Sequence, residues 1–213
     1  MVRACALRWA VALLCAWPVG VPAQSFEQLL RSAEQGDVKT VEGFLSRGLD
    51  PDTADLQGNT LLMIASRHGH HELVSLLIQR KANVARRSPH GDTALMFASL
   101  KGHLAVASLL IENGAQVMHG GWTPLHYAAF EGRAELVKFL IDKGADKNAL
   151  APNGYTALML AARGGHADAA RALLYEDADW RIRGPKDETA LSIAQDRRDS
   201  AIEQLLRRAG AVD

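Results

Sequence analysis

Short runs of apolar residues recur along the chain in pairs, and a glycine separates the two runs of each pair. The first run is dense in small and apolar residues, as in Leu62-Met63-Ile64-Ala65. The second run carries paired leucines, as in Leu76-Leu77-Ile78. Apolar positions at helical spacing, closed by a glycine, predict short amphipathic helices joined in pairs.

Threonines that precede the first runs mark a nearly fixed period. They are separated by 33, 30, 33 and 33 residues: Thr60, Thr93, Thr123, Thr156 and Thr189. The glycines between the runs keep the same step: Gly36, Gly69, Gly102, Gly132 and Gly165. Self-similarity at this period predicts stacked helix pairs, each burying an apolar face that it cannot cover alone.

The best-formed repeat runs from Gly121-Trp122-Thr123-Pro124-Leu125-His126 to Gly144-Ala145-Asp146. On Thr-Pro-Leu-His, Gly-His and Gly-Ala-Asp at these spacings, the chain resembles the ankyrin-repeat family over roughly residues 25–210. The resemblance implies an all-α solenoid of stacked helix-turn-helix pairs with β-hairpin fingers. About six repeats, including degenerate end caps, are expected at 25–55, 56–88, 89–118, 119–151, 152–184 and 185–213.

Three local features of the repeats carry structural expectations. Each threonine is expected to cap a first helix by accepting a hydrogen bond from its first turn. Lys81 and Asp177 stand where other repeats place the glycine that ends the second helix, so strain or a different helix end is expected there. Three residues are missing before Thr123, which predicts a stunted finger and a notch beside it.

Residues 1–23 differ in pattern from the repeats. Arg3 and Arg8 precede a short apolar core, and Val21-Pro22-Ala23 follows, which predicts a signal peptide cleaved after Ala23. A membrane anchor is the alternative, but the core is shorter than the ~20 residues of a span. Residues 24–213 would then form the ankyrin-repeat domain. By resemblance, a short single array with a signal peptide suggests a periplasmic or secreted bacterial protein.

Composition narrows the possible chemistry of the mature chain. Both cysteines, Cys5 and Cys15, lie in the segment to be removed, so no disulfide or thiolate site is expected. The near-neutral charge gives no basic face for nucleic acid. Paired catalytic acids, a nucleophile elbow and a phosphate loop are missing from the sequence. We therefore expect a protein that is not an enzyme and needs no cofactor.

Histidines are the remaining candidates for chemistry. His68-Gly69-His70-His71 is dense enough to suggest a metal site. However, His70, His103 and His166 are expected to bond locally in the Gly-His turn of each repeat. Neighbouring layers are also about 8–10 Å apart, too far for these three side chains to share one ion. His126 is expected to serve the start of its helix together with Thr123.

The resemblance places partners across the finger tips and the exposed face of the first helices. Carried over by position, the expected partner-binding residues are Arg67, His68, His90, Asp92, Leu100, Lys101, His119, Trp122, Phe130, Glu131, Tyr155 and Arg163. Large apolar groups at such positions have no core to explain them. Trp122, Phe130 and Tyr155 are expected to line one concavity, unless Phe130 packs under the neighbouring finger.

The sequence thus predicts a non-enzymatic protein–protein interaction module that acts outside the cytoplasm. Its partner is another protein, with neither nucleic acid nor stable membrane insertion after cleavage, and the chain is expected to be monomeric. One alternative is an accessory or protective partner of a periplasmic enzyme, for example in stress defence. Another is a metal-binding protein that uses His68, His70 and His71.

Overall fold

The computed structural model describes residues 23–212. The predicted signal peptide therefore lies outside the described residues, apart from Ala23, and so do Cys5 and Cys15. Within the described part, twelve helices follow one another in pairs. Their bounds are α1 Ala23–Gln35, α2 Val38–Ser46, α3 Leu61–His68, α4 His71–Gln79, α5 Ala94–Lys101, α6 Leu104–Glu112, α7 Pro124–Phe130, α8 Ala134–Asp142, α9 Ala157–Gly164, α10 Ala167–Tyr175, α11 Ala190–Asp196 and α12 Ser200–Arg208.

Threonine caps begin five of the six first helices, as the sequence predicts. In α3, the hydroxyl oxygen of Thr60 accepts a hydrogen bond from the Met63 N–H at 3.2 Å. The same bond recurs at the starts of α5, α7, α9 and α11. Pro124 occupies the first position of α7, where its missing N–H leaves no bond unmade. These caps fix where each helix starts, and so fix the register of the repeats.

The ends of the second helices show the expected strain. Gly114 and Gly144 end α6 and α8 in the left-handed conformation, with φ of 92° and 91°. Lys81 and Asp177 take the same conformation after α4 and α10, with φ of 70° and 57°. A side chain in this region costs roughly 1–2 kcal/mol, because Cβ approaches a carbonyl oxygen. The chain therefore keeps the repeat geometry at these two sites despite the lack of glycine.

One continuous apolar core runs the length of the stack. Small residues line the first helices where they lie side by side, and all are fully buried: Ala65, Ala98, Ala128 and Ala161. Leucines of the second helices fill the layer behind them and are equally buried: Leu77, Leu110, Leu140 and Leu173. Small side chains allow close helix packing, and the leucines supply most of the apolar area removed from water.

The fingers are tight turns. Four of them close with one backbone hydrogen bond of the same kind, such as Ser88 N–H to the Asp92 carbonyl at 2.9 Å and Ala151 N–H to the Tyr155 carbonyl at 2.9 Å. No strand forms between residues 23 and 212, and the single β-bridge there joins Ala54 to Thr60. The expected hairpins are thus too short to build a ladder. The shortened finger before Thr123 lacks even the closing bond.

None of the helices from Ala23 onwards combines the length and the apolar character needed to cross a membrane.

Candidate protein-binding face

The exposed sides of α3, α5, α7 and α9, with the fingers that precede them, form one surface, called here the first-helix face. The twelve predicted contact residues lie on these elements, and none is buried. Five are exposed: His68, His90, Lys101, Phe130 and Arg163. Seven are half-buried: Arg67, Asp92, Leu100, His119, Trp122, Glu131 and Tyr155. Their positions are compatible with contact to a partner, although several also contact other residues of the chain.

Arg67 lies over the ring of Phe97 in the next repeat, with its guanidinium carbon 4.2 Å from the ring centroid. Stacking on an aromatic face attracts and orients a cation. Phe97 is itself almost buried and belongs to the core. The sequence analysis did not single out Phe97. Phe97 lies four residues after its capping threonine, where the repeats of Thr60 and Thr156 have the aliphatic residues Ile64 and Leu160. This difference between repeats is the sequence signal that could have identified it.

Trp122 packs within its own repeat. Its ring lies 5.9 Å from that of His126, edge to face, and 5.7 Å from that of Tyr127. The Tyr127 hydroxyl donates a hydrogen bond to the Asp92 carboxylate of the preceding finger at 2.6 Å. Burial, and then this bond, raise the pKa of Tyr127. Trp122 is therefore partly a structural residue, and Tyr127 is a further member of the face that the sequence analysis missed.

Phe130 is 49% exposed at the last position of α7. The alternative that it packs under the neighbouring finger is therefore wrong. Its side chain is the most exposed aromatic of the first-helix face, while Tyr155 and Trp122 are half-buried. Phe130 is thus the large apolar group of the first helices that the fold leaves uncovered, and Leu56, Met118 and Leu150 are exposed on the fingers of the same face.

Tyr155 forms a second polar and aromatic group. Its hydroxyl donates to the Glu188 carboxylate of the next repeat at 2.5 Å, and the guanidinium of Arg163 lies 5.4 Å from its ring centroid. The bond to Glu188 raises the pKa of Tyr155 and lowers that of Glu188. Tyr155 makes no ring contact with Trp122 in the described structure. The two aromatics therefore belong to separate clusters.

A shallow open depression lies beside the shortened finger. It is lined by Val84, Ala85, Arg87, Thr93, Ala115, Gln116 and His119. The Nε2 atom of His119 is buried there and has no hydrogen-bond partner in the described residues. Burial lowers the pKa of His119, so the neutral imidazole is favoured. The depression is small, and it lies where the three missing residues were expected to leave a notch.

The Gly-His histidines bridge neighbouring repeats, so the expectation of local bonds within the turn is wrong. Nε2 of His103 lies 3.1 Å from the Arg67 carbonyl oxygen, and Nε2 of His166 lies 2.9 Å from that of Phe130. His70 makes the same contact with Glu34 at 2.7 Å. A carbonyl only accepts, so Nε2 carries the proton in each case. Each ring reaches the preceding repeat because it stands at the start of a second helix.

The histidine cluster at residues 68–71 does not converge on one point. The rings of His68 and His70 stack at 5.9 Å, but Nε2 of His70 is hydrogen-bonded to the Glu34 carbonyl oxygen. Burial lowers the pKa of His68, and the nearby His70 adds to this effect. From residue 23 to residue 212, no group of three or more histidine or acidic side chains could hold a metal ion. The geometry therefore gives no support to the metal-binding hypothesis.

His126 serves its helix start, as predicted. Its Nδ1 atom accepts from the Thr123 N–H at 3.1 Å, and its Nε2 atom lies 3.0 Å from the Ala149 carbonyl oxygen. In the repeats of Thr60 and Thr93, the sulfur of Met63 or Met96 stands in for Nδ1. Burial lowers the pKa of His126, because charging the ring would place a cation in the core.

A protein-family model described as "Ankyrin repeats (3 copies)" matches residues 29–120, 90–151 and 125–212. The crystal structure of the human ASB11 ankyrin repeat domain superposes with a TM-score of 0.81, covering 86% of this chain and 84% of that one at 24% identity. An ankyrin repeat domain from Acinetobacter baumannii gives a TM-score of 0.75 at 28% identity, covering 87% of this chain and 98% of that one.

Among curated sequences, the rabbit (Oryctolagus cuniculus) Ankyrin repeat and SOCS box protein 5 is 34% identical over 87 residues. The aligned stretch covers 40% of this chain and 26% of the rabbit protein. The chain thus matches about a quarter of that relative's length, and the similarity concerns its repeats.

Proposed function

The chain belongs to the ankyrin-repeat family, whose repeats are protein–protein interaction modules, and we propose that it is a non-enzymatic binding module acting outside the cytoplasm. The exposure of Phe130 carries this proposal. An aromatic side chain that is 49% exposed contributes little to the core. Such groups are typical of binding hot spots when a partner covers them.

The absence of enzymatic activity is proposed from the scaffold and from the face. Ankyrin scaffolds are typically non-enzymatic. Two pairs of ionisable groups on the first-helix face are engaged in structural bonds, Tyr127 with Asp92 and Tyr155 with Glu188. A general acid or base needs a free proton-transfer position within reach of a substrate, and these two pairs offer none.

The location outside the cytoplasm is proposed from residues 1–23. A basic start, a short apolar core and a small residue before the expected cut are typical of an exported protein. Mass spectrometry of the protein from the exported fraction tests this point. We expect a chain that begins at Gln24 or a near neighbour. A full-length chain in the membrane fraction would contradict the proposal.

The binding function is tested by capturing partners from the exported fraction with residues 24–213 as bait. Phe130→Ala should lose captured partners. Tyr175→Ala is the matched control, because Tyr175 is 81% exposed at the end of second helix α10 and lies outside the first-helix face. If both variants retain every partner, the first-helix face is not the binding site. If the captured partner is an enzyme, its activity and lifetime with and without the bait test the accessory or protective role.

A further inference from the structure

We propose, on the basis of the binding function above, that the first-helix face takes an extended segment of a partner protein with apolar residues at its centre and acidic residues at both ends. The proposal rests on the order of side chains along one row of the face. It also rests on the absence of an ion pair to either arginine of that row among the described residues.

One row of the face consists of the residues seven positions after the capping threonines of α3, α5, α7 and α9: Arg67, Leu100, Phe130 and Arg163. The order is cation, apolar, apolar, cation. The next repeat, beyond the face, has Asp196 at this position. Neighbouring helices pack about 8–10 Å apart, so the two arginines lie roughly 24–30 Å apart. An extended chain rises about 3.3 Å per residue. The row therefore matches a segment of about eight residues.

The spacing of this row is held by the backbone. The carbonyl oxygens of Arg67 and Phe130 accept hydrogen bonds from His103 and His166 of the following repeats. The carbonyl of Leu100 accepts one from Arg133 at 3.3 Å. Three consecutive members of the row are thus fixed to the next layer of the stack. A surface that is ordered before binding loses less entropy when a partner docks.

The carboxylates of this part of the molecule are already engaged. Between residues 55 and 163, four belong to first helices or fingers, and each is hydrogen-bonded or ion-paired within the protein: Asp55, Asp92, Glu131 and Asp146. Five cations of the same elements form no ion pair with any described carboxylate: Arg67, Arg87, Lys101, Lys147 and Arg163. Of these, Lys147 donates to the Glu176 carbonyl oxygen. Arg67 and Arg163 are therefore available to pair with carboxylates of a partner.

The two arginines of the row are also oriented. The ring of Phe97 holds Arg67, and the ring of Tyr155 holds Arg163, each by cation–π contact. An oriented guanidinium is suited to bidentate binding of a carboxylate. Residues 1–22 of the chain contain two arginines and no carboxylate side chain, so they lack the acidic ends that the row calls for. A second copy of the row would bring arginine against arginine at both ends.

The test uses synthetic eight-residue peptides and fluorescence polarisation on the full repeat domain. The probe is Glu-Asp-Leu-Phe-Leu-Phe-Asp-Glu, and its control carries lysine at the four acidic positions. A second control has the same composition with the acids at the centre. We expect the probe to bind with a Kd below about 1 mM, and both controls to bind at least about tenfold more weakly. Binding of the probe should weaken as salt is added.

The double variant Arg67→Gln/Arg163→Gln should weaken binding of the probe by about three- to tenfold, the range expected when two exposed ion pairs are lost. Its matched control is Arg80→Gln/Arg171→Gln, which removes two paired arginines on or beside second helices and should leave binding unchanged. Equal binding of the lysine peptide, an unchanged double variant, or no binding of the probe at 1 mM would each overturn the proposal.

The two proposals fail in different ways. If Phe130→Ala loses partners captured from the exported fraction but the Arg67 and Arg163 variant keeps them, the binding function stands and the acidic segment is excluded. If neither variant loses a partner and the probe does not bind, both proposals fall.

Discussion

The imidazole of His103 lies in the space that a side chain at Gly69 would need. A Cβ atom at Gly69 would come within 2.5 Å of His103 Nδ1, while Nε2 of the same ring lies 3.1 Å from the Arg67 carbonyl oxygen. The pairs Gly36 with His70 and Gly132 with His166 repeat this arrangement. Glycine is thus needed at the end of the first helix for two reasons, its left-handed backbone and the close approach of the next repeat.

Separating these two reasons gives the first prediction. Gly69→Ala should destabilise the fold more than Gly144→Ala. Both glycines have positive φ, at 76° and 91°, but a Cβ at Gly144 meets nothing within 4 Å. Gly144→Ala should therefore lose only the roughly 1–2 kcal/mol of a left-handed alanine. Urea denaturation measures both. Equal losses would show that the histidine ring moves aside freely.

The second prediction concerns Lys81 and Asp177, two of the four left-handed residues that are not glycine between residues 23 and 212. Lys81→Gly and Asp177→Gly should each stabilise the fold by up to about 1 kcal/mol, because strain at φ of 70° and 57° is relieved. The gain is reduced by the greater freedom of glycine in the unfolded chain. Lys143→Gly is the control, since Lys143 has φ of −86° and should gain nothing. Lower stability of the first two variants in urea would contradict the strain argument.

The third prediction concerns the second-helix core. Leu110→Ala and Leu140→Ala should each cost about 2–5 kcal/mol, because both side chains are fully buried. Leu104→Ala, in the same helix as Leu110 but 37% exposed, should cost much less. Because stability in a stacked array is a sum over neighbours, one end can unfold first. Denaturation followed at both ends tests this, and a loss below about 0.5 kcal/mol for either buried leucine would contradict it.

The fourth prediction concerns pH and His126. Burial lowers the pKa of His126 in the folded state, so the unfolded chain binds its proton first as pH falls. The contribution of the neutral ring to stability is complete above about pH 6.5 and declines below it, toward the lowered folded-state pKa. His126→Met supplies the residue found at positions 63, 96 and 159, and it should reduce the loss of stability between pH 7 and pH 5.

Two neighbouring effects bear on this measurement. The hydrogen bond to the Ala149 carbonyl, and then Asp146, raise the pKa of His126, but burial outweighs both. His68 and His119 also have lowered pKa values and should leave a residual pH dependence in the variant. The difference between the two denaturation series therefore isolates His126. Identical pH dependence in both proteins would mean that its titration is not linked to unfolding.

The repeat pattern of the sequence is sufficient to predict the helices, because threonine and glycine act locally. Thr60 caps α3 through Met63, three residues away, and Gly69 ends the same helix in the next turn. The contacts between repeats were not predictable in this way. His103 bonds to Arg67, 36 residues earlier, and Tyr127 to Asp92, 35 residues earlier. Such bonds depend on how far one layer is rotated against the next, which periodicity alone does not fix.

On the first-helix face, too, the repeat pattern predicts the positions of residues but not their side-chain contacts. Position in the repeat placed Phe130 and Trp122 on the first helices and fingers, and both lie there. It did not distinguish the exposed phenylalanine from the tryptophan that packs on His126 and Tyr127. The shortened finger was visible as three missing residues, but the local partners of Trp122 were not. Only the side-chain geometry shows that these two aromatics have different roles.

The last prediction follows from that difference. Trp122→Ala should cost at least about 1 kcal/mol of stability, because it removes two aromatic contacts worth about 0.5–1.5 kcal/mol each beyond the lost area. Phe130→Ala should cost less than about 0.5 kcal/mol, because its ring is half in water and an exposed substitution away from the core changes little. Thermal and urea unfolding of the two variants, beside the unmodified protein, measure the contrast. Early melting of Phe130→Ala would assign this ring to the core and remove the observation on which the binding face rests. Near-normal melting of Trp122→Ala would instead show that Trp122 contributes little to the fold. Trp122 would then be a second contact residue, and Trp122→Ala should lose captured partners as Phe130→Ala does.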